Sequence, residues 1–236
     1  MTEHADFDFV AGEVLFINKP VGWTSFDVVN KIRYALKQYL GIKKIKIGHA
    51  GTLDPLASGL LIICTGRKTK IIDQFQQLDK TYSGVIRLGA TTPSFDLETE
   101  IDKSYPFDHI SASDLMQAMS TLTGKLQQIP PLYSAIKIKG KRAYLYARNE
   151  DDVELAPREI IIYALDLLSY EPPDVHIRVV CSKGTYIRSL ARDLGIALQT
   201  GAHLAALCRE QIGPYQLKDA YGLPEMIEKI QVLPRS

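Results

Sequence analysis

The tightest constraint on how this chain can fold is the stretch Gly48-His49-Ala50-Gly51-Thr52-Leu53-Asp54-Pro55-Leu56-Ala57-Ser58-Gly59. Its glycines permit tight turns and close approach of a ligand or a neighbouring backbone, while Pro55 biases Asp54 toward an extended conformation and out of any helix. Asp54 is therefore presented on a loop rather than packed. Asp-Pro is a common turn dipeptide, so the pair by itself does not mark a reactive carboxylate.

The 236 residues are 46% hydrophobic and 23% charged, the profile of a globular chain long enough to bury a core without disulfides or metals. With a net charge of +1, a polyanion has to be met by a local basic face rather than by the whole molecule. Cys64, Cys181 and Cys208 are widely separated and lack paired spacing, so they are expected to be reduced and buried. His4, His49, His109, His176 and His203 are dispersed without metal-ligand spacing, and no metal or redox cofactor is expected. The first residues carry no basic leader and no run has membrane-spanning length, so a cytoplasmic protein off the membrane is expected.

Period and punctuation give the elements. Glu13 to Asn18 predicts a strand ended by Lys19-Pro20-Val21-Gly22; Ser25 then caps a helix on which Phe26, Val29, Ile32, Leu36 and Leu40 recur up to Gly41. Ile42 to Ile47 alternates apolar with basic residues, as a solvated edge strand does. Leu60 to Cys64 predicts a buried strand, and Gly66 leads into a helix ending near Leu78. The Lys68-Thr69 pair lacks the glycines of a phosphate loop, which excludes nucleoside triphosphate binding. Lys80 to Gly89 alternates as a strand with Lys80 and Tyr82 on one face, and Ser111 to Leu122 is a capped helix closed by Gly124. Arg158 to Tyr170 and Val175 to Cys181 read as antiparallel strands. Thr185 caps a helix lined by Ile187, Leu190, Ala191, Leu194 and Leu198, with Arg188 in its first turn, a suitable anion site. Gly201 to Arg209 is a short strand or turn, and Leu217 to Ile230 a closing helix. Strands outnumber strand-helix-strand crossovers, so the fold class is α+β, with a mixed, mostly antiparallel sheet flanked by helices.

From Lys125 to Arg148 there is no acidic residue, and Lys125, Lys137, Lys139, Lys141, Arg142 and Arg148 are interleaved with Tyr133, Tyr144 and Tyr146. Cations neutralise phosphates and aromatic faces accept unstacked bases. On composition alone, a nucleic-acid grip and a solvated hairpin and helix are equally good accounts of this segment.

Several stretches together resemble one family, the TruB-type tRNA pseudouridine synthases. They are His49-Ala50-Gly51-Thr52-Leu53-Asp54-Pro55-Leu56-Ala57-Ser58-Gly59, Asn18-Lys19-Pro20-Val21-Gly22-Trp23-Thr24-Ser25, Lys80-Thr81-Tyr82 with Thr91, Thr92 and Asp96 beyond it, Pro130-Pro131 to Lys137, and Lys183-Gly184-Thr185-Tyr186-Ile187-Arg188. Position 18 departs from the pattern, with Asn where the family usually has Asp, and Asn149 to Asp152 replaces a glycine-containing turn. The resemblance spans roughly residues 13 to 217. It implies the pseudouridine synthase fold as a single catalytic domain over 1–236, with a thumb-like RNA-binding insertion at about 125–152 that contains the six cations named above. It also implies a short form lacking the small carboxyl-terminal RNA-binding PUA domain of many relatives.

The implied activity is isomerisation of uridine to pseudouridine at position 55 in the tRNA T-loop, by base flipping and a catalytic aspartate. Asp54 takes that role, Tyr82 lies against the flipped base, and Arg188 pairs with the aspartate. Lys19, His49, Gly51, Thr52, Tyr186, Leu207 and Arg209 are assigned to substrate binding, with Lys19 and Pro20 equally readable as a turn that buttresses the loop. The implied partner is tRNA, through its T-loop and stem, bound by a monomer with no obligate protein partner. Attack on ribose, attack on the base and removal of a sugar proton all remain open for Asp54. Two rival readings are a tRNA-folding chaperone, with Asp54 and Arg188 as a structural pair, and a nucleoside hydrolase or glycosidase, disfavoured because no second carboxylate is placed as the acid.

Overall fold

The structure, a computed structural model, describes residues 7–134, 136–138, 140–148, 153 and 155–232. Two compact units emerge, Met1–Lys80 with Cys208–Ser236, and Thr81–Leu207.

The first unit begins with β1 (Val14–Lys19) and α1 (Ser25–Leu40). Thr24, not Ser25, caps α1: its hydroxyl accepts the Asp27 N–H while the Asp27 carboxylate accepts the Thr24 N–H, a reciprocal pair that satisfies two otherwise orphaned donors. Ser25 is thereby freed for another contact. Gly41 closes the helix at φ 65°, a left-handed conformation that favours glycine. The buried face is centred on Val28, Ile32 and Leu36, and Phe26, expected among them, is 62% exposed. It stands two residues from Val28, about 200° around the axis.

The stretch Gly48–Gly59 connects β2 (Ile47–His49) to β3 (Ala57–Thr65), which pair antiparallel with His49 opposite Ile63. The expected strand over 42–47 reduces to its last residue, because Ile45 turns onto the core while Lys43, Lys44 and Lys46 stay in solvent. β3 is buried on both faces, which explains its unbroken apolar run. Leu61 and Ile63 join Val28, Ile32 and Leu36 in one cluster; Leu60, Ile62 and Cys64 join Phe75 and Ile212 in another. A 3-10 turn over Gly66–Ile71 and α2 (Ile72–Gln77) follow.

The second unit takes β4 (Lys80–Leu88), β5 (Ala90–Thr91), β6 (Lys103–Ser104), α3 (Ala112–Thr121), β7 (Gly124–Gln128), β8 (Lys137–Ile138), β9 (Lys141–Arg142), α4 (Ala143–Arg148), β10 (Arg158–Glu171), β11 (Asp174–Cys181) and α5 (Ile187–Ala197). The strand order is β4-β11-β10-β7, with β10 antiparallel to both neighbours. β4 departs from strict alternation, since Lys80, Thr81 and Tyr82 are all buried. Lys125 lies on β7, where it faces Ile161 of β10 in register; β8 and β9 form a separate hairpin leading into α4. The cap of α5 is Tyr186, which makes no side-chain cap bond, while the Thr185 hydroxyl donates instead to the Ser182 carbonyl at 2.9 Å.

The chain then forms β12 (Ala202–Ile212), eleven residues where a short strand or turn was expected, and completes the first unit with β13 (Tyr215–Gln216), β14 (Tyr221–Gly222) and α6 (Leu223–Val232). The helix expected from Leu217 thus begins at Leu223. In the first unit the order is β14-β1-β3-β12, with β1 and β14 parallel and β1/β3, β2/β3 and β12/β13 antiparallel. The fold is α+β, with a mixed, mostly antiparallel sheet and flanking helices.

None of Cys64, Cys181 and Cys208 forms a disulfide; Cys64 and Cys181 are buried, and burial pushes the Cys64 thiol up to about 11, while Cys208 is only half-buried. Among the described residues no helix is long and apolar enough to cross a membrane.

Candidate active site

Asp54 is half-buried on the β2–β3 loop, and the backbone around it is tied down at almost every residue. Its own carbonyl accepts the Ala57 N–H at 3.1 Å. Ser25, relieved of capping, accepts the Leu53 N–H at 2.8 Å and donates to the Leu53 carbonyl at 3.1 Å. The Pro55 carbonyl accepts the Gly22 N–H at 2.8 Å. Pro55, which lacks a donor of its own, is thus held through its acceptor.

Two buried cations carry the loop from beneath. Lys19 is fully buried, and its ammonium donates to the carbonyls of Trp23 at 2.5 Å, Pro20 at 2.9 Å and Pro55 at 3.4 Å. Arg209, 1% exposed, spreads its guanidinium over the carbonyls of Leu60 at 2.8 Å, Gly51 at 3.1 Å and Thr52 at 3.4 Å. Arg209 therefore acts on the backbone of the loop, and Lys19 is the buttress its turn suggested. Gly51 has φ 101°, Thr52 is exposed, and His49 is half-buried. Burial lowers the His49 pKa, the backbone at Gly51 opposes the shift, and the charge of Arg209 adds to it, so the imidazole is neutral at pH 7.

Burial also lowers the Lys19 ammonium from 10.5 to about 8; the Asp54 carboxylate opposes this, the Arg209 charge reinforces it, and Asp27 opposes it weakly. Because the native pKa lies below the unfolded one, the unfolded chain holds the proton between pH 8 and 10.5 when the native chain does not. Stability should therefore rise across that window, by on the order of 3 kcal/mol from this group, and be flat in it below pH 8. Nitrogen NMR of the Lys19 side chain should give a midpoint near 8 in the native chain and a lower one in Asp54→Asn; an Asp54→Asn midpoint at or above the native one would show that the carboxylate does not act on Lys19.

In the second unit, Arg188 is 3% exposed in the first turn of α5. Its guanidinium donates to the carbonyls of Ser94 at 3.1 Å and Tyr133 at 3.0 Å, and its Nε lies 3.5 Å from the Asp96 carboxylate. Asp96 is itself 4% exposed and accepts the Ser94 hydroxyl at 2.6 Å and the Glu98 N–H at 3.0 Å. Removing one member of such a buried pair costs about 3–5 kcal/mol, because it strands the other charge. The strained turn at Phe95, φ 62°, is covered by Arg192, whose guanidinium carbon sits 4.9 Å from the ring centroid. Tyr82 is buried on β4, Leu207 is half-buried on β12, and Tyr186 is half-buried. Gln128 grips the Tyr186 backbone from both sides, accepting its N–H at 2.8 Å and donating to its carbonyl at 3.1 Å. Ser189 donates to the Ile129 carbonyl at 2.8 Å, so the backbone leading from β7 toward β8 is fixed to the start of α5 at 128, 129 and 133.

The structure therefore gathers Lys19, His49, Gly51, Thr52, Asp54 and Arg209 around one loop of the first unit, and Arg188 and Tyr186 at the start of one helix of the second. Lys125 is exposed on β7. The backbones of Lys137, Lys141, Arg142 and Arg148 fall on β8, β9 and α4, while Lys139 and residues 149–152 lie outside the described residues. Ser25, Asp96 and Gln128 take structural parts the sequence did not assign. Ser25 was masked by its own suitability as a cap; Asp96 stood in the family pattern without a partner.

The sequence matches the TruB family pseudouridylate synthase (N terminal domain) over residues 37–187. It is 56% identical over 221 residues to the tRNA pseudouridine synthase B of Parabacteroides distasonis, covering 94% of each chain, and 53% identical over 228 residues to that of Phocaeicola vulgatus, covering 95% of this chain and 97% of the relative. Among solved structures, it is similar to a chain in the crystal structure of a Cbf5-Nop10-Gar1 complex, with TM-score 0.70 and 28% identity over 93% of this chain; it spans 54% of that chain.

Proposed function

Because this chain belongs to the TruB family of pseudouridylate synthases and is an isomerase that converts uridine to pseudouridine in tRNA, we propose that its target is the T-loop uridine at position 55 and that Asp54 is its catalytic residue. The observation that carries the assignment is the immobilised loop. Neighbouring residues of Asp54 are fixed by Ser25, Lys19 and Gly22, and Gly51 and Thr52 by Arg209, so the carboxylate is held in place before RNA arrives. Such preorganisation removes the need to order the loop during the reaction.

The reaction breaks the bond between N1 and the ribose, turns the uracil and forms the bond from C5 to the ribose; the C5 hydrogen leaves as a proton and N1 gains one. No electrons are exchanged. Asp54 is the anion adjacent to the reacting centre, and Tyr82 supplies a ring against the flipped base. Flipping a stacked base costs a few kcal/mol, which contacts from the basic insertion over 125–152 offset. Lys19 and Arg209 act through the loop backbone and His49, neutral at pH 7, packs against the RNA. The protein works in the cytoplasm as a monomer on the T-loop and stem, without a cofactor.

The test is tritium release from tRNA transcripts carrying 5-tritiated uridine, followed by mapping of the product. Release with one modified position in the T-loop is expected. Release with the product mapped elsewhere would overturn the site, and free uracil among the products would favour the hydrolase reading.

A further inference from the structure

The first unit carries a charge concentration that the loop chemistry does not use. From Phe26 to Lys46 there are six cations, Lys31, Arg33, Lys37, Lys43, Lys44 and Lys46, against one carboxylate, Asp27, in a chain whose totals are 28 and 27. The Lys46 carbonyl accepts the Gly66 N–H at 3.0 Å, which brings Arg67, Lys68 and Lys70 beside this segment with no intervening acid. Lys43, Lys44, Lys46, Arg67 and Lys68 are all exposed, and Lys43, Lys44 and Lys46 have no carboxylate within salt-bridge distance among the described residues. Tyr34, 64% exposed on α1, stands among them. The one carboxylate in the segment, Asp27, is engaged by the Thr24 cap.

Like charges left unneutralised on one face repel, and this is a cost that a solvated surface with interspersed carboxylates avoids. The face is also mechanically coupled to the catalytic loop. Ile45 packs into the core, Arg33 donates to the Ile47 carbonyl at 3.5 Å, and β2 runs directly from Lys46 to His49. A polyanion held here is held next to the loop that carries Asp54.

We propose that Lys37, Lys43, Lys44, Lys46, Arg67 and Lys68 form a phosphate-binding face for the tRNA substrate, additional to the 125–152 insertion. The assignment rests on the tRNA reading given above. Its ligand is the RNA sugar-phosphate backbone, read by charge and without base specificity.

The test compares tRNA binding by the native full chain, by Lys43→Ala/Lys44→Ala, and by a charge-matched control, Lys103→Ala/Lys218→Ala, across salt concentrations. The Lys43/Lys44 variant should bind about tenfold more weakly at low salt, and its slope of log affinity against log salt should be shallower by about 2, while the control tracks the native chain. Equal weakening in both variants would reduce the effect to net charge, and no change in the Lys43/Lys44 variant would remove the face from the interface; either overturns the proposal. Tritium release by the native chain is scored separately, so a failure of the enzyme reading registers there and not in the salt slopes. All four substituted lysines are exposed, and equal melting temperatures would confirm that folding is intact.

Discussion

Asp54→Asn should abolish tritium release from 5-tritiated tRNA, lowering the single-turnover rate on the order of 10²–10⁴-fold or more, while tRNA affinity changes by less than about twofold. The substitution keeps the shape of the side chain and leaves intact every backbone bond that fixes the loop, namely those of Leu53 to Ser25, Pro55 to Gly22 and Lys19, and the Asp54 carbonyl to Ala57. The charge is lost, and one acceptor oxygen becomes an amide donor. Under the chaperone reading, a structural carboxylate would show its loss in folding or RNA binding instead, so a variant that binds tRNA normally but does not release tritium separates the two. Residual turnover within tenfold of native would move catalysis to another group.

Gly59→Ala should be among the most damaging single-methyl changes in the first unit, destabilising the chain by about 3–5 kcal/mol. Two independent penalties coincide there. Gly59 has φ 108°, a conformation L side chains rarely adopt, and a Cβ at this position would sit 2.4 Å from the Arg209 carbonyl oxygen and 2.6 Å from its nitrogen. Those atoms belong to the backbone of β12 and cannot swing aside. Because Arg209 is also the residue that clamps Gly51 and Thr52, any fraction that still folds should carry a displaced loop. Chemical denaturation measures the first effect and tritium release by the folded fraction the second; a loss below about 1 kcal/mol would mean the two strands separate freely.

What the sequence disclosed follows from the range of the forces involved. Asp54 was legible because Pro55 and the glycines restrict its backbone locally, and β1, α3, β10 and β11 because period and turn residues act over a few positions. Arg188 was found in the first turn of its helix for the same reason. The cap of α1 was placed one residue late, at Ser25 instead of Thr24, since both residue types can cap; the Asp27 partner decides for Thr24. The positions of Lys19 and Arg209 beneath the loop, and the Asp96 contact with Arg188, depend on residues far apart in the chain, and no local pattern encodes them. The Arg209 contact to Leu60 spans 149 positions. β12 was underestimated because its burial comes from strands that precede it by more than a hundred residues.

That separation has a consequence during synthesis. The ribosome delivers the β2–β3 loop early, completes 81–207 next, and releases Arg209 only with the closing segment of the discontinuous first unit. At translation rates of about 5–20 residues per second, the nascent loop waits on the order of ten seconds for its guanidinium clamp. During that interval Ser25, Lys19 and Gly22 are already at hand to fasten the Leu53–Pro55 side of the loop, while the Gly51–Thr52 side stays without its clamp until the chain is nearly finished.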